Sequence, residues 1–206
     1  MDPQDFLTVA FINIRGQTGL HLPKQLQIEN FIKDYKIDIL NLQEVNIEEE
    51  TFSEYHFISS NFNILQNNSE NKYGTASLVK NEFDVENISM DREGRVLIFE
   101  VGGIICGNLY IQSGTDSVSR NKREAYFSEI VPQVMINHKQ LGCIGGDLNC
   151  ITEKEDATNN PESKISPSMK RLAKNFKWVD SFRALHPHSK SYSRYYKHER
   201  RGCIQN

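Results

Sequence analysis

The order of hydrophobic and polar positions along the chain predicts short β-strands separated by a few amphipathic helices. Residues 8–14 are rich in β-branched and aromatic side chains, which favours a strand, and turn-forming glycines follow them. Residues 95–101 and 104–111 form two further runs, and Gly102-Gly103 between them predicts a tight hairpin. Other strands are predicted at residues 38–44, 75–79 and 143–149.

Apolar residues at helical spacing predict a helix over residues 24–35 and a second one over residues 120–134. Pro132 lies inside the second pattern and is expected to kink or interrupt it, because proline cannot donate a backbone hydrogen bond. Ser166 and Pro167 suit the N-cap and first position of a third helix. Strands mixed with a few helices indicate an α+β or mixed α/β layered domain. The apolar stripe predicted for the first helix consists of Leu26, Ile28, Phe31, Ile32 and Tyr35.

Composition and charge exclude some classes of protein. The 206 residues allow one large domain or two small ones, and 38% hydrophobic with 25% charged residues is ordinary for a globular protein. A formal net charge of −3 gives no overall positive field, which argues against a protein that simply coats DNA. Neither a signal peptide nor a membrane-spanning run is predicted, so an intracellular location is expected.

The cysteines show no CxxC pair and no histidine at zinc-finger spacing. We interpret them as reduced packing residues of an intracellular protein, with a disulfide pair as the alternative. The four are Cys106, Cys143, Cys150 and Cys203.

Polar side chains stand where apolar strands end. Asn13 ends the first predicted strand, Glu44 ends the second, and Asp147 and Asn149 end the strand at residues 143–149. A single such residue is more often a turn former or a cap, but repetition after several strands favours a site at one rim of the fold. Carboxylate and amide oxygens suit Mg²⁺, which polarises phosphoryl oxygens. In such a site Asp147 would orient or activate a water molecule, and Asn149 would donate to a phosphate oxygen.

Several short motifs occur in order along the chain. Gly146-Asp147-Leu148-Asn149 is the most specific of them, and Asn108-Leu109-Tyr110-Ile111 is a second. Together the motifs resemble the nuclease domain of the endonuclease/exonuclease/phosphatase family, in the form that LINE retrotransposons encode. The remaining motifs that carry this resemblance are Asn13–Gly16, residues 38–44, Tyr73–Ala76, Gly94-Arg95, Arg120–Arg123 with Tyr126-Phe127, and Ser191–Ser193.

The resemblance implies an α+β fold, a four-layer α/β-sandwich in which two packed mixed β-sheets are flanked by helices. It implies a single domain over residues 1–206, a Mg²⁺ cofactor with Mn²⁺ as a substitute, and DNA as the substrate. It also implies a nuclear location in a eukaryote, and neither a membrane nor a stable protein partner is expected. Residue by residue it implies Glu44 and Asn13 for the metal, Tyr110 for the scissile phosphate, Asp147 for the attacking water, Asn149 for the phosphate, and Ser113, Arg120 and Ser193 for substrate binding.

The chain departs from the family pattern in two places. Gln112 and Ser113 follow Tyr110, where the family usually has Pro and Asn. The family's closing strands and Ser-Asp-His motif have no counterpart in residues 197–206, so the fold is expected to be incomplete at its C-terminus. General acid–base groups contribute typically 10²–10⁴-fold, so we expect a weak or inactive nuclease. Missing strands would also leave a sheet edge through which copies could associate.

Three alternatives remain open at the level of sequence. The chain could be a non-catalytic nucleic-acid- or metal-binding remnant of the same fold, a phosphatase acting on a nucleotide or lipid headgroup, or an interaction domain whose polar strand ends are caps. The basic residues between 190 and 201 alternate with tyrosines, a mixture that suits contact with DNA or a solvated strand edge equally well.

Overall fold

A computed structural model describes residues 6–15, 22–46, 54–68, 74–138, 142–157, 161–189, 194–196 and 199–203. Contacts divide the chain into two compact units, one of residues 1–110 with 137–146 and the other of residues 111–136 with 147–206. The single domain expected from the sequence stays a prediction. The motif residues Gly16, Tyr73 and Ser191–Ser193 lie outside the described ranges.

The first sheet consists of β1 (Val9–Asn13), β2 (Ile39–Val45), β3 (Phe62–Asn67) and β4 (Gly74–Lys80), in the order β1-β2-β4-β3. β1 and β2 are parallel, whereas β4 pairs antiparallel with both β2 and β3. Because parallel strands end at the same edge of a sheet, the residues that end β1 and β2 become neighbours.

The second sheet consists of β5 (Val85–Met90), β6 (Val96–Val101), β7 (Ile104–Tyr110) and β8 (Gly142–Asp147), in that order. The predicted hairpin between β6 and β7 is confirmed. Gly102 and Gly103 have φ of 57° and 76°, and positive φ at both central residues is what a type I′ turn requires.

The core of the first unit lies on both faces of the first sheet. Between the sheets, Ile39 and Val79 form one buried cluster with residues of β6 and β7. On the other face, the sheet packs against α1 (Leu22–Tyr35) and α2 (His56–Asn61). The predicted α+β class, with two packed β-sheets flanked by helices, is confirmed.

The predicted stripe of α1 is only partly correct. Ile28 and Ile32 are buried and Phe31 packs beside them, whereas Leu26 and Tyr35 are exposed. The buried face of a 14-residue helix is therefore narrower than its apolar pattern. The helix ends at Tyr35, because the next residue, Lys36, adopts a left-handed φ of 50°, as the residue after a helix commonly does.

In the second unit, α3 (Ser117–Ala125) continues through a π-helical turn (Tyr126–Ile130) into α4 (Val131–Val134). The predicted interruption near Pro132 is confirmed, and it takes the form of the π-helical turn just before the proline. In α5 (Pro167–Phe176) the predicted cap is confirmed as well, because Ser166 Oγ accepts a hydrogen bond from Met169 N–H. The remaining elements are α6 (Ser181–Leu185) and a hairpin of β9 (Arg194–Tyr196) and β10 (Glu199–Cys203).

Three cysteines in the described ranges are free thiols, as predicted. Cys106 and Cys150 are buried packing residues, and burial raises the pKa of each to about 12. Cys143 is exposed. No helix in the described part of the chain has the length and apolar character needed to cross a membrane.

Candidate active site

Asn13 and Glu44 lie side by side at one edge of the first sheet, as their places at the ends of β1 and β2 predict. Nδ2 of Asn13 donates a hydrogen bond to Oε1 of Glu44 over 2.9 Å. Oδ1 of Asn13 accepts from the backbone N–H of Arg15 over 2.8 Å, which fixes the orientation of the amide. Asn13 therefore holds the Glu44 carboxylate in place.

The backbone at Glu44 is irregular. Pairing of β2 with β4 passes from Gln43–Thr75 to Val45–Gly74, so Glu44 is the extra residue of a β-bulge. Its φ of 53° lies in the left-handed region, which costs roughly 1–2 kcal/mol for a residue with a Cβ. Bulges re-aim side chains next to active sites, and backbone strain concentrates at functional positions. The backbone thus singles out the same carboxylate that the sequence motif does.

A buried polar network supports this edge from behind. Gln43, which precedes Glu44, donates from Nε2 to Oδ1 of Asn108 on β7 over 2.8 Å. Asn108 in turn donates from Nδ2 to the backbone oxygens of Leu42 and Ala76, at 3.1 and 3.0 Å. Asn108 and Gln43 are 0% and 1% exposed, so these bonds are shielded from water and tie β7 to β2 and β4.

Tyr110, the last residue of β7, is buried against Arg95. The Arg95 guanidinium lies 4.9 Å from the centre of the Tyr110 ring, and its Nη1 donates to the Tyr110 backbone oxygen over 3.2 Å. The Tyr110 N–H donates to the Arg95 oxygen over 2.8 Å. The arginine is thereby fixed over the tyrosine ring in a cation–π contact.

Sequence reasoning identified Gly94-Arg95 as a motif but gave Arg95 no role. The register of the hairpin between β6 and β7 could have predicted that Arg95 lies beside Tyr110. Its register pairs Val101 with Ile104 and Val96 with Leu109, so one further step places Arg95 opposite Tyr110.

Asp147 and Asn149 form a tight turn after β8 in the second unit. Asp147 is buried, and its Oδ1 accepts from the Asn149 N–H over 3.2 Å. Asn149 has a left-handed φ of 50°, which asparagine tolerates better than most residues, and its Nδ2 donates to the Ile111 oxygen over 2.9 Å. The motif needs its glycine because a Cβ on Gly146 would overlap the backbone oxygen of Leu109.

Ser113 is exposed in the loop after β7. The neighbouring carbonyl oxygens of Gln112 and Gly114 accept hydrogen bonds from Nη1 of Arg123, at 3.3 and 3.1 Å. Arg123 is 1% exposed, so a buried cation shapes the loop that carries Ser113. The sequence placed Arg123 in a motif but gave no sign that it is the buried member of that motif.

Arg120, predicted to bind substrate, is exposed on α3. Its guanidinium donates over 3.4 Å to the Thr115 oxygen, which is the long end of the hydrogen-bond range. The third predicted substrate contact, Ser193, lies outside the described residues.

Comparison with solved structures identifies several nucleases that share this architecture. An AP endonuclease from Archaeoglobus fulgidus aligns with a TM-score of 0.73 at 20% identity, over 94% of this chain and 80% of that one. The 3′-5′ exonuclease NExo from Neisseria meningitidis aligns with a TM-score of 0.73 at 20% identity, over 97% and 84%. This chain has the fold of these nucleases.

A third similar structure is that of the 3′ phosphatase NExo from Neisseria bound to a product DNA hairpin. It aligns with a TM-score of 0.72 at 22% identity, over 97% of this chain and 84% of that one. No protein-family model and no curated protein matches the sequence. At 20–22% identity the comparisons establish the fold, and residue roles depend on the site itself.

The donor chemistry at Asn13 and Glu44 fits a hard divalent cation. Mg²⁺ binds through one or two carboxylates, keeps several waters and takes up substrate phosphate, so it does not need an all-protein cage. The described ranges contain no cluster of three or more His, Cys, Asp or Glu side chains of the kind that encloses a metal. The Glu44 carboxylate, half-buried and held by Asn13, is a suitable single protein ligand.

Proposed function

We propose that this chain is a Mg²⁺-dependent phosphodiester hydrolase of the endonuclease/exonuclease/phosphatase type that nicks DNA and derives from a LINE-type retrotransposon. The observation that carries the proposal is the Asn13–Glu44 hydrogen bond at a strained bulge, in a fold shared with an AP endonuclease and a 3′-5′ exonuclease. A turn former or a cap does not account for this arrangement, because the bulge aims a carboxylate instead of closing a turn.

Glu44 is the principal metal ligand in this proposal, with Asn13 beside it. A bound Mg²⁺ would polarise a phosphoryl oxygen and offset charge in the transition state. Tyr110 contacts the scissile phosphate, and Arg95 keeps its ring from changing orientation.

Asp147 aligns or activates the attacking water, and Asn149 donates to the phosphate or to the developing charge. Both depend on the turn after β8, in which the Asn149 N–H bonds to Asp147 and the Asn149 side chain bonds to Ile111. That turn fixes the direction of both side chains without help from the substrate.

DNA is the proposed substrate because the NExo neighbour was solved with a product DNA hairpin. Ser113, Arg120 and Ser193 are proposed to contact the strand, and exposed Arg120 suits a phosphate of the backbone. A nuclear location in a eukaryote and Mn²⁺ as a substitute ion belong to the same proposal.

Slow hydrolysis and DNA binding without hydrolysis, the remnant considered in the sequence analysis, are the two outcomes that an experiment must separate.

The test is a nicking assay on supercoiled plasmid with and without Mg²⁺. Slow nicking that requires Mg²⁺, is lost in Asp147→Ala and is kept in the matched exposed variant Asp84→Ala would support hydrolysis at this site. DNA binding without nicking would replace the proposal by the remnant. Equal nicking by Asp147→Ala and the unchanged chain would contradict the assigned role.

A further inference from the structure

Three side chains of the first unit that play no part in the proposed nuclease reaction form a continuous hydrogen-bonded chain. Nε2 of His138 lies 2.9 Å from Oγ of Ser89, and its Nδ1 lies 3.3 Å from Oε1 of Glu100. The side chains of His138 and Glu100 are 1% and 3% exposed, whereas Ser89 is half-buried. The order is therefore the hydroxyl of a half-buried serine, a buried imidazole and a buried carboxylate.

We propose that Ser89, His138 and Glu100 form a second catalytic site, a serine-hydrolase triad that cleaves carboxylic esters. A serine becomes a nucleophile when an imidazole accepts its proton and a carboxylate fixes the tautomer and orientation of that imidazole. Such a set is recognised by its geometry and not by sequence order, since it recurs on unrelated folds. Ser89 and His138 are the catalytic residues, and Glu100 is the positioning residue.

We assign the third element that acyl transfer needs, the donors to the oxyanion, to the irregular backbone next to Ser89. The pairing of β5 with β6 passes from Glu86–Glu100 to Ser89–Ile98, so Asn87 and Ile88 together face a single residue of β6 in a bulge. Asn87 also has a left-handed φ of 48°. Backbone N–H groups that leave the ladder at a bulge suit a developing oxyanion, and strain of this kind concentrates at functional sites.

The reaction balances without any further reagent. Oγ of Ser89 attacks the ester carbonyl carbon while its proton passes to Nε2 of His138, with the Nδ1 N–H donating to Glu100. The tetrahedral intermediate collapses, the bond to the leaving oxygen breaks, and that oxygen takes the proton from Nε2. Water then repeats the sequence on the acyl-serine, releasing the acid and restoring Ser89.

The experiment is covalent labelling of the full chain with a fluorophosphonate probe, followed by peptide mass spectrometry. Ser60 provides an internal control, because its Oγ lies 3.0 Å from Nδ1 of His56 in an exposed serine–histidine pair. Labelling rates at Ser89 and Ser60 are compared in the unchanged chain, in Ser89→Ala and in Glu100→Gln. Circular dichroism establishes that each variant is folded, and hydrolysis of p-nitrophenyl acetate is measured in parallel.

The triad predicts labelling at Ser89 at least tenfold faster than at Ser60. It also predicts loss of that label and of ester hydrolysis in Ser89→Ala, and at least tenfold slower labelling in folded Glu100→Gln. Labelling at Ser89 that is no faster than at Ser60, or that is unchanged in Glu100→Gln, would overturn the proposal and leave these residues as a structural link between β5, β6 and the segment after α4.

Discussion

Replacing Asn108 by alanine is expected to destabilise the first unit severely, because the side chain of this residue forms buried hydrogen bonds that join the two sheets. Its side chain donates to the Leu42 and Ala76 oxygens and accepts from Gln43, over 3.1, 3.0 and 2.8 Å. A buried polar group that loses its partner costs about 1–3 kcal/mol. Gln43 keeps a bond to the Asn41 oxygen at 3.2 Å, so two carbonyl groups bear most of the loss. We therefore expect a cost of roughly 3 kcal/mol.

Urea unfolding followed by far-ultraviolet circular dichroism measures this cost, since the only tryptophan, Trp178, belongs to the second unit and would not report on the strands concerned. For a chain of this size 1 kcal/mol shifts Tm by about 2–4 °C, so thermal unfolding of the same variant should show a decrease in Tm of about 6–12 °C. Asn61→Ala is the matched control, because Asn61 makes one exposed hydrogen bond to the Phe57 oxygen and its loss should cost under about 1 kcal/mol. If Asn108→Ala were as stable as Asn61→Ala, the reasoning about the buried network would be refuted.

Three further predictions concern other parts of the molecule. Arg95→Met should lower kcat for nicking by about tenfold with KM little changed, because a cation–π contact worth about 1 kcal/mol or more positions Tyr110. A change in KM alone would contradict this positioning role. Ser166→Ala should lower the free energy of unfolding by about 1 kcal/mol through loss of the α5 cap, whereas Ser166→Thr should retain most of it, as urea titrations can establish. Burial alone would raise the pKa of Glu124, but hydrogen bonds from Ser166 and Ser168 bring that pKa below the usual 4.5. The ionised Glu124 carboxylate therefore stabilises the fold above pH 4.5, and this stabilisation is lost as the pH falls through the lowered pKa. Urea midpoints measured across this range should fall less steeply in Glu124→Gln, and identical slopes would refute the linkage.

The sequence was most informative where a short local pattern, such as a turn or the end of a strand, determines which residues become neighbours in the fold. The glycine pair between β6 and β7 fixed a hairpin register, and the endings of β1 and β2 placed Asn13 beside Glu44 because the strands are parallel. A motif match and a strand ending thus agreed on Glu44. Neither source indicated that this residue lies in a bulge with a left-handed φ, because the pairing shift depends on β4, which is distant in sequence.

Two strands and one buried arginine were not predicted from the sequence, for physical reasons that the structure makes clear. β5 was not predicted because its bulge breaks the alternation of apolar and polar residues by which strands are identified. β3 was not predicted because its three apolar residues and three amide residues do not alternate regularly. Arg123 lies between Lys122 and Glu124 in a charged run that reads as solvated, yet its guanidinium is buried against loop carbonyl groups. Such burial depends on tertiary structure that periodicity does not encode.

The proposed hydrolysis depends most directly on whether Glu44 binds a divalent cation. Thermal unfolding in a Mg²⁺ titration measures this independently of turnover, since a ligand that binds only the folded state at 100 times its Kd adds about 2.7 kcal/mol. We predict a Mg²⁺-dependent rise in Tm that is absent in Glu44→Gln and retained in Glu86→Gln, an exposed carboxylate of the same unit. An equal rise in all three proteins, or none in the unchanged chain, would contradict the metal site on which the proposed hydrolysis rests.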